Sequence, residues 1–230
     1  MTLQQRTDQF RQRYRAQINR HYSGLAHLLF VFAVGGGMVL FSYRQLETLS
    51  VVTWLALLFA LLLGNVGEYL AHRFLGHKKR RFAGLFYARH SGDHHSFFSD
   101  QDYTIANLRD LRVVLFPAFL LVAVTLLIAL PLGALAGWLL GGDAGWSVAA
   151  GVLLAYLFYE FIHLCDHLPD NHWLPRLPGI RTLRAHHRRH HHPLGREHNF
   201  NVTLPLSDYL FGTIDRSQPP SGAKETGATQ

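Results

Sequence analysis

The chain has 230 residues, a formal net charge of +7 and 49% hydrophobic residues. Its single cysteine, Cys165, excludes a disulfide framework and a multi-cysteine zinc site. The basic residues flank long apolar runs and do not form one stripe with interleaved aromatic residues. They therefore predict contact with anionic lipid headgroups and no nucleic-acid partner.

Residues 1–22 are polar and basic, and they predict an amphipathic helix that lies on the membrane surface. A solvated helical leader is the alternative. The apolar run that follows is long enough to span a membrane, which argues against a cleavable signal peptide. At the other end, residues 214–230 are polar and contain Pro219 and Pro220, so we expect a disordered tail.

Four apolar runs are each close to the ~20 residues that a helix needs to cross a bilayer. They cover residues 25–42, 51–71, 113 to about 134, and 145–164. Pro131 and nearby glycines predict a kink or an interfacial exit in the third run. Basic residues concentrate before the first run, between the second and third, and after the fourth, and the positive-inside rule places these parts in the cytoplasm.

Ten of the 16 histidines form four clusters, each at the end of an apolar run or just outside it. The spacings are H-x4-H, H-x3-H-H, H-x3-H and H-x2-H-H, and neutral imidazole is a common ligand of iron, zinc and copper. Ten ligands exceed what one metal ion uses, so the pattern predicts a site for two ions. The candidate ligands are His72, His77, His90, His94, His95, His163, His167, His187, His190 and His191.

Helical geometry predicts how the clusters divide between two ions. Residues four apart, such as His90 and His94, share one face of an α-helix. The adjacent His94 and His95 point about 100° apart and would serve different ions. His72 and His77 are five apart and would diverge on a regular α-helix, so we expect the helix to end between them.

All four clusters fall on the side that the positive-inside rule places in the cytoplasm, although histidine does not enter that rule. The sequence therefore predicts an all-α integral membrane protein. Four transmembrane helices would carry a cytoplasmic helical cap with a histidine-rich dimetal site, and both termini would be cytoplasmic. The membrane domain would cover residues 23–213.

Four carboxylates accompany the clusters. A metal-bound imidazole usually donates its second N–H to a carboxylate or a carbonyl. This predicts that Glu68, Glu160, Asp93 and Asp166 orient the histidines. His172 and His198 remain candidates for additional ligands, whereas the other four histidines lack the paired spacing. The tract 186–192 taken alone would also fit adventitious metal binding.

The chain resembles the fatty acid hydroxylase superfamily, which includes fatty acid 2-hydroxylases, sterol C-4 and C-5 oxidases and carotenoid hydroxylases. Residues 68–77, E-Y-L-A-H-R-F-L-G-H, are similar to the first box of the family and are closest to the 2-hydroxylases. Y-E-F-I-H at 159–163, with His167, is similar to the third box, and D-Y-L-F-G-T at 208–213 to the family ending. The last histidine cluster also matches, so that the resemblance covers roughly residues 60–213.

The second box departs from the family pattern. It is H-x3-H-H here, where 2-hydroxylases tend to have H-x2-H-H. This difference leaves the position of His90 in the site open.

The resemblance implies a non-haem di-iron oxygenase that hydroxylates a C–H bond of a lipid with dioxygen and external electrons. Its first box favours a fatty-acyl or sphingolipid-like substrate. Two iron ions are the implied cofactor, although zinc can occupy imidazole sites in a purified sample. The His-Pro-Gly-Gly haem motif of a fused cytochrome b5 is absent from the sequence. We therefore expect a separate electron donor, such as a ferredoxin, a cytochrome b5-like protein or a reductase.

A site at the membrane border would let a lipid tail reach the metals while its headgroup stays hydrated. Several aromatic residues near the clusters are candidates for lining that approach, with ordinary packing as the alternative. They are Phe74, Phe97, Phe98, Phe158 and Phe161.

Other functions remain open. The same boxes are compatible with a sterol or carotenoid hydroxylase and with a lipid desaturase. A divalent-metal transporter would need ligands along a path through the membrane, and a bis-haem cytochrome would need histidine pairs in facing helices. The interiors of the spans are almost purely apolar, which disfavours the transporter. The histidines cluster at one face, which disfavours the cytochrome.

Overall fold

The computed structural model of the chain describes residues 2–216, which form helices and loops with no β-strand among them. The predicted all-α class is therefore confirmed. The predicted disordered tail lies largely outside the described residues. The α-helices in chain order are α1 Leu3–Gln17, α2 Gly24–Arg44, α3 Val51–Ala71, α4 Gly84–Tyr87, α5 His95–Phe97, α6 Leu111–Val114, α7 Ala118–Val124, α8 Leu130–Leu140, α9 Gly142–His167, α10 Pro178–His190 and α11 Leu206–Leu210.

Four helical stretches of the described chain are long and apolar enough to cross a membrane. They are Gly24–Arg44, Val51–Gly76, Leu108–Leu140 and Gly142–His167. The third is longer than predicted, because a π-helical turn, Thr125–Ala129, precedes Pro131 and the helix continues through the proline. Proline lacks a backbone N–H, and a widened turn beside it accommodates the lost hydrogen bond.

Helix α9 is the centre of the bundle. Of the most apolar 18-residue stretch of this span, 61% is buried, against 17–28% for the other three spans. Those three expose large apolar side chains, as lipid-facing helices do. Close packing on α8 depends on small residues. A Cβ added at Gly145 would lie 2.7 Å from the carbonyl oxygen of Gly133. Glycine at both positions lets the two backbones approach directly.

The remaining elements form a cap at one end of the bundle. Helix α1 packs one face on this cap, with Tyr14 buried against Phe97 and Leu111 in one apolar cluster. The guanidinium of Arg15 binds the buried carboxylate of Asp110 at 2.8–2.9 Å. The face of α1 that carries these residues is thus covered by protein, and a membrane-surface position for its opposite face stays a prediction.

Candidate metal centre

The structure brings the ten clustered histidines together in two groups. The first group contains His72, His77, His90, His95 and His190. The second group contains His94, His163, His167 and His187, together with His191, whose Nε2 lies 3.0 Å from that of His94 and 3.2 Å from that of His187. Each group draws its rings from segments that are distant in sequence, so only the folded cap assembles them.

Two π-helical turns decide which histidines meet. The turns are His72–Gly76, at the end of α3, and Ala88–His94, before α5. A π-turn bonds residues five apart, so it places His72 with His77 and His90 with His95. His90 and His94, which we expected to share one face, lie in different groups, although their rings stack with centroids 5.4 Å apart. The adjacent His94 and His95 do separate between the groups, as predicted.

Gly76 allows these two turns to pack against each other. A Cβ at residue 76 would lie 2.9 Å from the imidazole ring of His90. The hydroxyl of Ser91 also donates to the Gly76 carbonyl at 2.7 Å. The glycine in the first box therefore has a packing role beside the first group.

Backbone carbonyls orient half of the rings. The Nδ1 atoms of His94, His167 and His191 lie 3.1, 2.8 and 3.3 Å from the carbonyl oxygens of Val113, Tyr103 and Phe98. In the first group, His72 and His190 are paired in the same way with Phe200 and His198. A neutral imidazole carries one N–H, so donation from Nδ1 leaves a lone pair on Nε2.

In both groups the Nε2 atoms lie close to one another. The Nε2 atoms of His77, His90, His95 and His190 form a closed ring with edges of 2.9–3.1 Å. In the second group, His94 and His191 both present lone pairs at 3.0 Å, which is repulsive unless a cation lies between them. Nitrogen ligands at right angles around an ion ~2.1 Å away are ~3.0 Å apart. Both groups therefore fit the coordination of a metal ion.

Burial keeps the rings in the form that binds metals. Desolvation lowers the pKa of His90, His94, His95, His187, His190 and His191 well below the ordinary value. Desolvation, with the neighbouring His190, lowers the pKa of His77 to about 2. The rings are thus neutral near pH 7, and neutral imidazole is the ligand form. His77 is half-buried, whereas the other nine rings are buried.

The predicted carboxylate partners lie elsewhere. Glu68 accepts hydrogen bonds from the backbone N–H of Val202 and Thr203, so it acts on the loop that follows Phe200. Glu160 accepts from the Tyr156 hydroxyl at 2.8 Å and from a backbone N–H. Neither of these carboxylates accepts a hydrogen bond from an imidazole within residues 2–216.

The aspartates likewise do not bond a clustered histidine. Asp93 pairs with Arg89 at 2.7 Å. Asp166 is fully buried and neither of its oxygens has a hydrogen-bond partner in the described structure. Carbonyls thus take the role that we assigned to carboxylates, and no sequence pattern identifies a carbonyl.

The two additional candidates have separate positions. His198 supplies its carbonyl to His190, at 2.7 Å, and its ring lies outside both groups. His172 accepts from the backbone N–H of Leu174 and stacks on Trp173. His192 also lies outside both groups.

One carboxylate that we did not predict organises the first group. Asp208 accepts from the backbone N–H of Phe200 and Asn201 at 2.9 and 2.7 Å, and from the Thr213 hydroxyl at 2.7 Å. His186 Nε2 lies 3.2 Å from the same carboxylate. The signal was present in the sequence as the D-x-x-F-G-T ending, of which Asp208 and Thr213 are the polar members.

An apolar cavity of about 600 Å³ leads to the first group from between the spans. Its walls come from α3, the third span and α9, and it reaches His72 and His90. The aromatic residues in its wall are Phe86, Phe116, Tyr156 and Tyr159.

None of the five predicted phenylalanines lines this cavity. Phe97 and Phe98 are fully buried in the cap, where the Phe98 ring stacks on His167 with centroids 4.1 Å apart. Phe161 packs in another apolar cluster, and Phe158 is 40% exposed. Phe74 lies under the Arg73 and Lys78 cations. Proximity in sequence to a histidine box therefore did not predict which ring faces the cavity.

A four-span helical bundle with two groups of converging histidines defines a membrane protein with room for two metal ions. The model of the fatty acid hydroxylase family matches residues 57–213. The chain belongs to the fatty acid hydroxylase family, as the resemblance of its boxes predicts.

Curated relatives agree with this membership. The fatty acid 2-hydroxylase of Macaca fascicularis is 30% identical over 157 residues, which are 66% of this chain and 37% of the relative. The human fatty acid 2-hydroxylase is 28% identical with the same coverage. The dihydroceramide fatty acyl 2-hydroxylase FAH1 of Arabidopsis thaliana is 27% identical over 66% of this chain and 57% of that relative. The match thus spans 37–57% of the length of these relatives.

A solved structure shares the fold. It is that of full-length Scs7p, in which only the hydroxylase domain is visible. The TM-score is 0.52 at 22% sequence identity, and the match covers 86% of this chain and 67% of that chain.

Proposed function

We propose that this protein is a membrane-bound oxygenase that hydroxylates a C–H bond in the acyl part of a lipid. The observation that carries the proposal is the apolar cavity, which lies among membrane spans and ends at two histidines of the first group. Its volume of about 600 Å³ is in the range of small-molecule sites. Family membership and the 2-hydroxylase relatives favour a fatty-acyl or sphingolipid-like substrate.

The ten histidines would hold two iron ions, five rings to each ion. Ligation by imidazole suits iron, and five rings leave one position of an octahedron for another ligand. When bound, the two ions would supply the redox chemistry that reduces dioxygen. The reaction converts R–H, O2, two protons and two electrons into R–OH and water, so it needs an electron donor. A separate ferredoxin, cytochrome b5-like protein or reductase would provide the electrons.

The residues of the chain would orient the metal ligands, bind the lipid and exclude water. Carbonyls that accept from Nδ1 would hold the lone pairs of five rings towards the ions. The apolar walls would bind the acyl chain and keep bulk water from the reacting carbon. The positive-inside pattern supports a cytoplasmic position for the cap and for the ions that it would bind.

Lipid analysis tests the reaction. Total lipids from host cells that express the protein would be compared with those from cells that express His163→Ala, by mass spectrometry. A lipid heavier by one oxygen only with the wild-type chain supports the proposal and identifies the substrate. A loss of two hydrogens would instead assign a desaturase, and altered cellular metal content without lipid change would assign a transporter.

Two further measurements test the ion and the sidedness. Elemental analysis of purified protein would give the ratio of iron to zinc, and restoration of activity to metal-free protein by ferrous iron alone would support iron. Reporter fusions at each terminus would report the side of the membrane. Termini on the outer side would contradict the cytoplasmic assignment.

A further inference from the structure

A second pocket, of about 610 Å³, opens on the surface of the protein where the first and third spans begin. Its wall combines two arginines, Arg89 and Arg112, with the apolar residues Leu85 and Phe119. Leu85 and Phe119 are 60% and 58% exposed, as expected for side chains at a membrane border. The pocket thus offers positive charge at a level where lipid headgroups lie.

The two arginines differ in their partners. Arg89 is paired with Asp93 at 2.7 Å and also donates to the Tyr14 hydroxyl at 2.9 Å. Arg112 is half-buried, lies over the Tyr14 ring and has no carboxylate partner within residues 2–216. A partly buried cation without a partner is costly. A guanidinium in this position is suited to a carboxylate or phosphate, which it can bind through two parallel hydrogen bonds.

The surface pocket adjoins the metal centre. Arg89 and Pro117 line both this pocket and a small cavity bounded by His90, His94 and His163. That cavity measures about 20 Å³, room for about one water molecule. The pocket is therefore one layer of side chains away from both histidine groups.

The same layer separates the surface pocket from the apolar cavity. Leu85 and Pro117 face the surface pocket, whereas their neighbours Phe86 and Phe116 line the apolar cavity. The Phe86 and Phe116 rings contact each other with centroids 5.2 Å apart. A lipid that occupied both spaces would displace this aromatic contact and pass beside the histidines.

We propose that the surface pocket binds the anionic headgroup of the lipid whose acyl chain occupies the apolar cavity. The ligand chemistry is an anionic oxygen group, either the carboxylate of a free fatty acid or the phosphate of a phospholipid. This inference rests on the proposed function and extends it to the substrate class.

Binding of three lipids that carry the same acyl chain tests the inference. The full chain in nanodiscs would be titrated with the free fatty acid, the phosphatidic acid and the ceramide, and bound lipid would be counted by native mass spectrometry. Arg112→Gln is expected to weaken binding of the anionic ligand roughly tenfold to a hundredfold, the factor typical of a charge-assisted hydrogen bond. Ceramide binding should not change, and Arg112→Lys should recover part of the loss. The matched control is Arg81→Gln, an exposed arginine outside the pocket.

Kinetics sharpen the test, because a headgroup contact should raise KM and leave kcat unchanged. A loss confined to the fatty acid identifies a carboxylate, and a loss confined to phosphatidic acid identifies a phosphate. Equal weakening of all three lipids, or no weakening of either anionic lipid, overturns the inference. Binding does not require turnover. An inactive wild-type chain with normal selective binding would therefore contradict the proposed function and leave the headgroup site standing.

Discussion

The two histidine groups are built alike but are supported by different parts of the chain. Rings of the first group are oriented by carbonyls of residues 198 and 200, in a loop that Asp208 and Glu68 hold. Rings of the second group are oriented by carbonyls of residues 98, 103 and 113. The apolar cavity reaches the first group, whereas no ring of the second group lines it. Each ion would therefore depend on its own loop.

The support of the second group extends to α1. Arg11 donates to the carbonyl oxygens of Phe97 and Asp102 at 2.7 and 2.9 Å and pairs with the Asp102 carboxylate. These residues adjoin Phe98 and Tyr103, whose carbonyls bond His191 and His167. Helix α1 is therefore connected to the second group through hydrogen bonds to two neighbouring residues of the chain.

The largest effect is expected from removing a ring of the second group. His163→Ala should lower activity by more than about 100-fold, because loss of an outer partner alone commonly costs 10–100-fold. The bound metal should fall from two ions per chain to one or fewer, measured by elemental analysis.

His192→Ala is the matched control, since its ring lies outside both groups. It should keep two ions and full activity. Full activity in the His163 variant would remove this ring from the metal centre.

Arg11→Met should destabilise the cap and lower occupancy of the second group alone. Arg11 is 7% exposed and its partner Asp102 keeps 23% side-chain exposure, so we expect about 3 kcal/mol, the lower end for breaking a buried pair. Thermal unfolding in detergent and metal content per chain would be measured together. Arg13→Met, on the exposed face of α1, should change neither.

Asp208→Asn should lower metal occupancy of the first group and leave that of the second group unchanged. Asparagine retains one oxygen, so it cannot accept all the bonds that Asp208 accepts from Phe200, Asn201 and Thr213. The first group should then lose metal, by about 10-fold in affinity, while the second group retains it. If the Asp208 and Arg11 variants empty the same ion site in metal-binding titrations, the two groups do not have separate supports.

Blocking the cavity should affect turnover without affecting the ions. Gly67 lines the cavity, and an added Cβ there meets nothing within 4 Å. The Gly67→Leu variant should therefore fold, and its leucine side chain should fill part of the cavity. Overlap with a bound chain is expected to cost about 10-fold or more in kcat/KM. Gly36→Leu, at another open position away from the described cavities, is the control. Loss of metal in the Gly67 variant would indicate a structural effect instead.

The metal-free protein is also expected to show a pH dependence of its stability. Burial lowers the pKa of these histidines in the folded chain, including His77 to about 2, below the ordinary 6.5 of the unfolded chain. The unfolded state thus binds more protons below pH 6.5, and stability is complete above that value and falls as the pH drops. Each such histidine contributes up to about 1.4 kcal/mol per pH unit.

Unfolding midpoints at pH 7.5, 6.5 and 5.5 would measure this slope. The metal-loaded protein should hold its midpoint to lower pH, because bound ions compete with protons for the same nitrogens. A flat profile for the metal-free protein would show that the rings are not buried as neutral groups.

Several features could be predicted because they are local. Each span is a run of apolar residues, and each histidine cluster is a short spacing on a helix, so both are visible in the sequence. The division of the clusters was predicted only in part. The α-helical repeat separated His94 from His95 correctly, but it did not predict the π-turn that places His90 with His95 in the first group.

The orienting groups and the cavity wall could not be predicted. A carbonyl occurs in every residue, so only the path of the loops selects Phe98, Tyr103 and Val113. The cavity wall depends in the same way on how three spans pack. This is why Phe86 and Phe116 line it and the phenylalanines beside the boxes do not.

The sequence by itself determined the four spans, the helical class and the ten candidate ligands, because apolar length and imidazole spacing act over one or two turns. Only the tertiary structure decided which rings share a group, which carbonyls orient them and where the cavity reaches them. These choices bring together residues that are often more than 60 positions apart, such as His94 with His163. Contacts of that kind arise from packing of the whole cap, which no local pattern encodes.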